Sequence, residues 1–431
     1  MKIFSTSKDN MWFEPQQDGG KINTNLNWGE KTGDVWEGFG GCFNELSQIA
    51  LLELKDSDRE KVYDNLFSKD VDGLKFDFCR IPIGASDYAE IWYSHNETEG
   101  DFEMKEFSIE RDKKYLIPYI KEALKRNPNM KFFASPWSPP TWMKTPKRYN
   151  GGVLTWTEEN LKAYALYLAK FVEAYKEEGI NITQLHVQNE PMSEQKFPSC
   201  FWDGQQFAEF IGKYLGPLFD ERGIDTEIWL GTLNGPETDW RMLFTRYNQY
   251  ANVVLNDEDA YKYVKGISYQ WAGKNATRQT KESFPEKRMI QSENECGDGE
   301  NTWEYAKYIY ELFRKYITDG VCAYVYWNMV LKPHGVSTWG WPQNSMITID
   351  DNHNVIYNYE YYLMKHFAGF VRKGARVITL TGHLTANAVA FENDNGQKIL
   401  VAQNPFDYKL TFELEGNTIT LPEDSINTII L

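Results

Sequence analysis

Short apolar runs alternate with amphipathic runs along most of this chain. Eight runs have the length and the β-branched or aromatic content of buried strands, and they span residues 36–43, 76–83, 130–136, 184–190, 227–232, 264–271, 288–293 and 321–328. Between them, runs near 45–67, 109–126, 158–178, 204–222, 236–252 and 300–318 have helical periodicity. About eight repeats of strand and helix predict an α/β fold, a parallel (β/α)₈ TIM barrel.

The two ends of the chain have a different pattern. From about Phe370 onward, short alternating runs at 376–380, 388–392, 399–404, 411–414, 418–421 and 427–431 are separated by turn signals. This pattern is typical of antiparallel strands. The first ~25 residues also lack helical periodicity. We therefore expect N-terminal strands in residues 1–30, a barrel in 31–369 and, with 370–431, a flanking β-sandwich built from both termini.

Composition excludes several classes of protein. The net charge of −16 disfavours nucleic acid as a partner, and the chain lacks an apolar run of ~18 residues that could span a membrane. The five cysteines are odd in number and form no Cys-x-x-Cys, which argues against disulfides and a zinc site. We expect no metal and no cofactor. The first ten residues lack the apolar core of a secretory signal, which favours a cytoplasmic protein, or a secreted one if a signal has been removed.

Two of the predicted strands end on a glutamate. His-Val-Gln-Asn-Glu-Pro occupies 186–191 and Met-Ile-Gln-Ser-Glu-Asn occupies 289–294. In a barrel of this kind, the chemistry takes place at the carboxyl ends of the strands. Two carboxylates meeting there are what a glycosidase needs, one to protonate the leaving oxygen and one to attack the anomeric carbon. Glu190 and Glu293 are therefore the candidate catalytic pair.

Other polar and aromatic residues fall at the same predicted rim. Arginine, aspartate and asparagine can bind sugar hydroxyls, and indole rings can stack on the apolar faces of sugars. At the strand ends these residues include Arg80, Asp87, Trp137, Asn189, Trp271 and Trp327. Arg80 could equally be a buried ion pair that orients a carboxylate.

Glu295 competes with Glu293 for the catalytic role. Together with Asp298 and Glu300 these glutamates form an acidic cluster, which could be a solvated loop or a weak cation site without EF-hand spacing. We favour Glu293 because the strand run ends there, whereas Glu295 falls in the loop. His186 is expected to pack or hydrogen-bond inside the barrel.

Five segments of the chain resemble glycoside hydrolase family 30, which includes lysosomal glucosylceramidase. They are Gly-Phe-Gly-Gly-Cys-Phe-Asn-Glu at 38–45, Arg-Ile-Pro-Ile-Gly-Ala-Ser-Asp-Tyr at 80–88, Ala-Ser-Pro-Trp-Ser-Pro-Pro-Thr-Trp-Met-Lys-Thr at 134–145, Gln-Asn-Glu-Pro at 188–191 and Gln-Ser-Glu at 291–293. The resemblance covers nearly the whole chain, and the segment at 134–145 is the most specific.

The resemblance implies a retaining mechanism, with Glu190 as acid/base and Glu293 as nucleophile. Carboxyls ~5–5.5 Å apart would let the charge of Glu293, together with burial, raise the pKa of Glu190. The resemblance also implies that Asn189 binds the sugar 2-hydroxyl and that Arg80 lies behind Glu293. It assigns the first sugar subsite to Asp87, Trp137 and Trp327.

The chain departs from the family in two places. Many relatives follow the tryptophan of strand six with a tyrosine near the nucleophile, whereas Ala272 follows Trp271 here, so Tyr269 is a candidate replacement. The aromatic, glycine-rich loop at 332–341 resembles bacterial members, and Trp339 or Trp341 is expected to shape a sugar subsite.

The predicted function is a retaining β-glycoside hydrolase that cleaves β-linked glucosides or gluco-oligosaccharides through a covalent glycosyl-enzyme intermediate. The expected partner is a carbohydrate substrate, and the pattern indicates no oligomeric state. Four alternatives remain open: an endo-β-1,6-glucanase, a β-xylosidase of the same family, a non-catalytic carbohydrate-binding barrel and a metal-dependent barrel hydrolase.

Overall fold

The computed structural model describes residues 1–235 and 250–431. Eight parallel strands close into a barrel in which each strand pairs with its neighbours in sequence. Numbered as barrel strands 1 to 8, they are Gly38–Cys42, Phe78–Ile83, Lys131–Pro136, Ile182–His186, Glu227–Leu233, Val264–Gln270, Arg288–Glu293 and Ala323–Asn328. The predicted TIM barrel is confirmed.

Helices surround the barrel, with bounds that differ in places from the predicted ones. They are Glu45–Leu52, Asp56–Phe67, Leu116–Arg126, Glu158–Glu177, Gly204–Glu209, Gly216–Arg222, Tyr250–Leu255, Glu258–Tyr263, Thr277–Ser283, Trp303–Thr318 and Tyr359–Ala368. The predicted helix at 45–67 is two helices, because Lys55 is extended between them (φ −59°, ψ 148°). The segment at 204–222 passes through a π-helical turn, Phe210–Leu215.

The predicted helix at 236–252 lies mostly outside the described residues. Its last part, from Tyr250, is helical. Within the described parts of the chain, no helix has the apolar stretch that a bilayer crossing requires.

The barrel interior is filled at its amino-terminal end. Phe133 and Trp229 belong to an apolar layer inside it. His186 stacks on Trp229 with ring centroids 5.2 Å apart and hydrogen-bonds through Nδ1 to Ser268 Oγ at 2.7 Å. Burial holds the pKa of this imidazole well below its usual value. His186 therefore packs inside the barrel as expected, and the open end is the carboxyl-terminal one.

The flanking sheets use both ends of the chain, as predicted. A six-stranded antiparallel sheet contains, in spatial order, Lys2–Ser7, Ser425–Ile430, Lys398–Asn404, Ala388–Glu392, Arg376–Thr381 and Asn27–Lys31. A hairpin, Leu410–Leu414 with Asn417–Leu421, forms a second sheet. Apolar residues of both sheets, such as Ile3, Leu400 and Phe412, share one buried cluster. This makes the sandwich a unit with its own core beside the barrel.

Candidate active site

The two candidate glutamates lie at the carboxyl-terminal mouth of the barrel. Glu293 is the last residue of barrel strand 7. Barrel strand 4 ends at His186, so Glu190 lies four residues past the strand rather than on it as predicted. It adopts a left-handed conformation (φ 46°), and its backbone N–H donates to Thr232 O at 3.0 Å. Strained backbone of this kind is frequent at functional sites.

One side-chain amide brings the two carboxylates together. Gln270 Nε2 lies 3.3 Å from Glu190 Oε1 and 3.1 Å from Glu293 Oε2. These two oxygens are therefore at most 6.4 Å apart, the sum of the two distances. Retaining glycosidases hold their carboxyls ~5–5.5 Å apart and inverting ones ~6.5–9.5 Å apart. The spacing favours the retaining geometry.

Arg80 lies fully buried behind this pair. Its Nη1 donates to Glu293 Oε2 at 2.6 Å, and its Nη2 donates to Asn189 Oδ1 at 2.6 Å. The guanidinium stacks on Trp137 and Trp327, 4.4 Å and 5.4 Å from their ring centroids. Arg80 thus holds Glu293 directly. It also holds Asn189, which is the residue before Glu190.

Burial sets the electrostatics of the site. It raises the pKa of Glu293, and the nearby guanidinium of Arg80 lowers that pKa in part. Burial, followed by the charge of Glu293, raises the pKa of Asp87 well above its usual value. Asp87, Glu190 and Glu293 repel one another when all three are ionised. The site therefore keeps a proton at a pH where carboxyl groups in water have lost theirs.

The carboxylates face a cavity of about 370 Å³. This volume lies at the small end of the ~300–1,000 Å³ typical of ligand pockets. The lining combines acids, amides and aromatic rings, including Asp87, Trp137, Asn189, Glu190, Gln195, Phe197, Trp271, Lys274, Glu293, Glu295, Cys296, Trp341 and Gln343. Of the predicted site residues, seven therefore meet at one cavity: Asp87, Trp137, Asn189, Glu190, Trp271, Glu293 and Trp341.

Tyr269, which was predicted to bind substrate, does not line this cavity. Its hydroxyl hydrogen-bonds to Thr280 Oγ1 at 2.6 Å, on the side of the helices. Alternation along barrel strand 6 explains this placement, because Ser268 and Gln270 face the interior and Tyr269 faces out. The alternation of interior and exterior positions along this strand could have been used to predict that Tyr269 faces out.

Three other predicted binding residues support the cavity from behind. Arg80 acts through Glu293 and Asn189, as described above. Trp327 is buried against Trp137, with ring centroids 5.4 Å apart, so it backs the predicted sugar platform. Trp339 packs on Phe197 and Trp341, and Trp341 is the ring of this loop that lines the cavity.

Glu295 has a different environment from Glu293. Its carboxylate accepts from Lys274 Nζ at 2.6 Å and from the Tyr308 hydroxyl at 2.7 Å. Asp298 and Glu300 are exposed. The acidic cluster therefore has three different environments. Glu293 is buried, Glu295 pairs with Lys274, and the remaining two acids lie in a solvated loop.

Another buried carboxylate, Glu360, supports the loop that follows Glu293. It accepts from Asn344 Nδ2 at 2.7 Å and from Asn301 Nδ2 at 2.8 Å. Asn344 Oδ1 in turn accepts from the backbone of Gly299 at 2.8 Å, and Asn344 N donates to Cys296 O at 2.6 Å. Burial raises the pKa of Glu360 to about 7.

Glu360 should make folding stability fall as pH rises. The unfolded chain releases this proton near the ordinary value of 4.5, whereas the folded chain keeps it up to about 7. The contribution of Glu360 to the free energy of unfolding is therefore fully present below pH 4.5 and is lost as the pH rises through about 7. This contribution is at most about 3 kcal/mol. In Glu360→Gln we expect a smaller decline of Tm between pH 5 and 8, measured by thermal unfolding. The exposed Glu304→Gln is the control, and equal slopes in all three proteins would contradict the prediction.

Sequence reasoning missed Gln270, Gln195 and Lys274. Gln270 could have been predicted, because it is the last residue of barrel strand 6 and occupies an interior position beside Trp271. Gln195, whose Nε2 donates to Glu190 Oε2 at 3.1 Å, comes from an irregular loop. Nothing in the local pattern around Gln195 or Lys274 marks them, because the fold of the loops brings them to the cavity.

Comparison with known proteins agrees with this site. The model for the "Glycosyl hydrolase family 30 TIM-barrel domain" matches residues 36–371. Putative glucosylceramidase 3 of Caenorhabditis elegans is 28% identical over 421 residues, 91% of this chain and 79% of the relative. Endo-1,6-beta-D-glucanase neg1 of Aspergillus fumigatus is 25% identical over 425 residues, 91% of this chain and 84% of the relative.

Solved structures share the fold over the full length. The endo-beta1,6-glucanase BT3312 has a TM-score of 0.87 at 24% identity, covering 100% of this chain and 98% of its own. SrfJ from Salmonella typhimurium has a TM-score of 0.85 at 23% identity, covering 100% and 99%. The family match spans most of the chain, including both glutamates. The chain therefore belongs to glycosyl hydrolase family 30 and is a glycoside hydrolase.

Proposed function

We propose that this protein is a retaining, exo-acting β-glycosidase that removes terminal glucose from β-glucosides or short gluco-oligosaccharides. The observation that carries the proposal is the position of Gln270 Nε2, within 3.3 Å of a carboxylate oxygen of both Glu190 and Glu293. Two carboxyls this close at the mouth of a barrel suit a double displacement.

The charge of Arg80 supports different roles for the two glutamates. An ion pair of 2.6 Å favours the ionised form of Glu293. Glu190 accepts hydrogen bonds from the amides of Gln195 and Gln270, and Arg80 pairs with Glu293. When the pair holds one proton, we expect it on Glu190. Glu293 is then the nucleophile and Glu190 the general acid.

The proposed reaction has two steps, formation of a glycosyl ester and its hydrolysis. An oxygen of Glu293 bonds to the anomeric carbon while the glycosidic C–O bond breaks and the proton of Glu190 passes to the leaving oxygen. In the second step Glu190, now a carboxylate, takes a proton from water as the water oxygen bonds to the anomeric carbon. The ester bond breaks and Glu293 leaves as a carboxylate.

The cavity walls support binding of a sugar ring beside the glutamates. Trp137 offers a flat apolar ring, and Asp87 offers a buried carboxyl that can hydrogen-bond to hydroxyls. Asn189 Oδ1 is occupied by Arg80 and by Thr232 Oγ1. This arrangement leaves its amide nitrogen to donate to a hydroxyl of the sugar. Trp271 and Trp341 line the rest of the cavity and suit the leaving group.

Exo action is supported by the loop that packs against the segment carrying Asp87. Thr338 N donates to Asp87 O at 3.2 Å, and the Tyr88 hydroxyl donates to Gly335 O at 2.5 Å. The ring of Phe197 meets Trp339 across the same rim, with centroids 5.6 Å apart. A sugar held by Asp87 would lie beside this loop, which suits a subsite for a terminal sugar.

The relatives keep one alternative open. Similar proteins are named as glucosylceramidases and as endo-1,6-beta-glucanases. An endo-β-1,6-glucanase would need a path for the chain past the loop that carries Thr338. The small cavity and this loop favour the exo-glucosidase over the endo-enzyme.

Hydrolysis of a β-1,6-linked gluco-hexasaccharide labelled at its reducing end tests the proposal. We expect glucose to appear first as the β-anomer by NMR, because two inversions give retention. Labelled products should shorten by one unit at a time. Early labelled fragments of intermediate length would indicate an endo-enzyme, and an α-anomer would contradict retention. Binding without hydrolysis of this or an aryl β-glucoside would favour a non-catalytic barrel.

A further inference from the structure

Gln270 occupies an unusual position between the two carboxylates. It is the last residue of barrel strand 6 and is fully buried. The pairing of barrel strands 6 and 7 slips after Tyr269, so that Tyr269 lies opposite Gln291 and Gln270 lies opposite Glu293. Such bulges re-aim side chains next to active sites. Here the slip sets Gln270 beside Glu293 instead of Ser292.

The amide of Gln270 is held in one orientation. Ser292 Oγ donates to Gln270 Oε1 at 3.0 Å, which leaves the two N–H groups of Nε2 to face acceptors. Those acceptors are Glu293 Oε2, Glu190 Oε1 and Asn189 Oδ1, at 3.1, 3.3 and 3.3 Å. A primary amide has two donors, so one Gln270 can serve both carboxylates at the same time.

We propose that Gln270 is a positioning residue that stabilises the anionic form of both glutamates in turn during the reaction. This inference rests on the proposed function. Before the first step, one N–H supports the Glu293 carboxylate. Once Glu293 is an ester its oxygen is a weaker acceptor, and Glu190, having given up its proton, carries the charge. The same amide then supports Glu190 as it accepts the proton of water, without Gln270 itself gaining or losing a proton.

A donor that stabilises both anions has a specific effect on the pH profile. Hydrogen bonds to the charged form lower a pKa, so removing the donor should raise the pKa of both groups. Both limbs of the kcat/KM profile should then move to higher pH. Among the residues that the structure describes, the groups around the pair that also carry charge or can titrate include Cys42, Arg80, Asp87, Lys274, Glu295 and Cys296. Gln270→Met leaves all of them in place.

The test compares Gln270→Met with Gln184→Met on an aryl β-glucoside from pH 4 to 9. Gln184 is equally buried in the barrel but contacts His186 and Glu37 at the other end. In Gln270→Met we expect both limbs to rise by roughly 0.5 to 1 pH unit and kcat to fall about 10- to 100-fold. Gln184→Met should keep the wild-type limbs. A lower activity with unmoved limbs would overturn the inference.

A second variant covers the case in which Gln270→Met does not fold. Ser292→Ala removes the hydroxyl that orients the amide but leaves Gln270 in place, and it should move both limbs in the same direction by less. Unmoved limbs in Ser292→Ala would overturn the inference as well. Failure of the proposed function is distinguishable. If the two glutamates lack the assigned roles, Glu293→Gln and Glu190→Ala retain wild-type activity whatever the pH profile does, and if exo action fails, the labelled hexasaccharide gives early fragments of intermediate length.

Discussion

Glu293→Gln is expected to lower kcat by about 10⁴-fold or more on every β-glucoside, because the amide cannot form the glycosyl ester. The substitution is nearly isosteric. It also leaves Arg80 without its ion-pair partner, which costs stability, so the folded fraction must be checked by circular dichroism before rates are compared. The measurement is steady-state hydrolysis of an aryl β-glucoside.

Glu295→Gln is the matched control for this experiment. Glu295 lies two residues further on, lines the same cavity and pairs with Lys274 at 2.6 Å. We expect its kcat to stay within several-fold of wild type, because the bond chemistry is assigned to Glu293. If Glu295→Gln lost the activity and Glu293→Gln kept it, the roles would be reversed, and the environment of Arg80 would need another explanation.

Glu190→Ala is expected to have an effect that depends on the leaving group. Alkyl glucosides need a proton on the departing oxygen, so kcat/KM should fall by about 10²- to 10⁴-fold. A dinitrophenyl glucoside leaves without that proton, so formation of the glycosyl ester should be nearly unchanged. The alkaline limb of the pH profile should vanish, because it reports ionisation of the acid. Burst kinetics separate ester formation from its hydrolysis, which Glu190 also assists as a base.

Glu194→Ala controls for damage to the loop that carries Glu190. Glu194 is exposed and pairs with Arg148 at 2.8 Å. It should retain wild-type rates on both substrates. Equal losses of Glu190→Ala on good and poor leaving groups, or a retained alkaline limb, would assign the acid to another residue.

Much of the site could be predicted because parallel strands in a closed barrel end at one rim. Two glutamates more than a hundred residues apart in sequence meet when their strands are parallel members of that barrel. Asp87, Trp137, Asn189 and Trp271 were found in the same way. Position along a strand does not by itself place a side chain in the cavity. Tyr269 lies at a strand end but faces the helices. Trp327 faces the interior but is covered by Trp137.

The amino-acid pattern was enough to predict the alternation of strand and helix, the sandwich at the termini and a pair of glutamates near one rim of the barrel, because hydrophobic period and the order of elements can be read along the chain. Tertiary structure alone decided which atoms meet. The slip after Tyr269 that sets Gln270 between the glutamates depends on the pairing of two separate strands. Trp339 packs on Phe197, far away in sequence, and Trp341 is the ring that lines the cavity. No local pattern encodes such contacts, because each side chain is aimed by a neighbour far away in sequence.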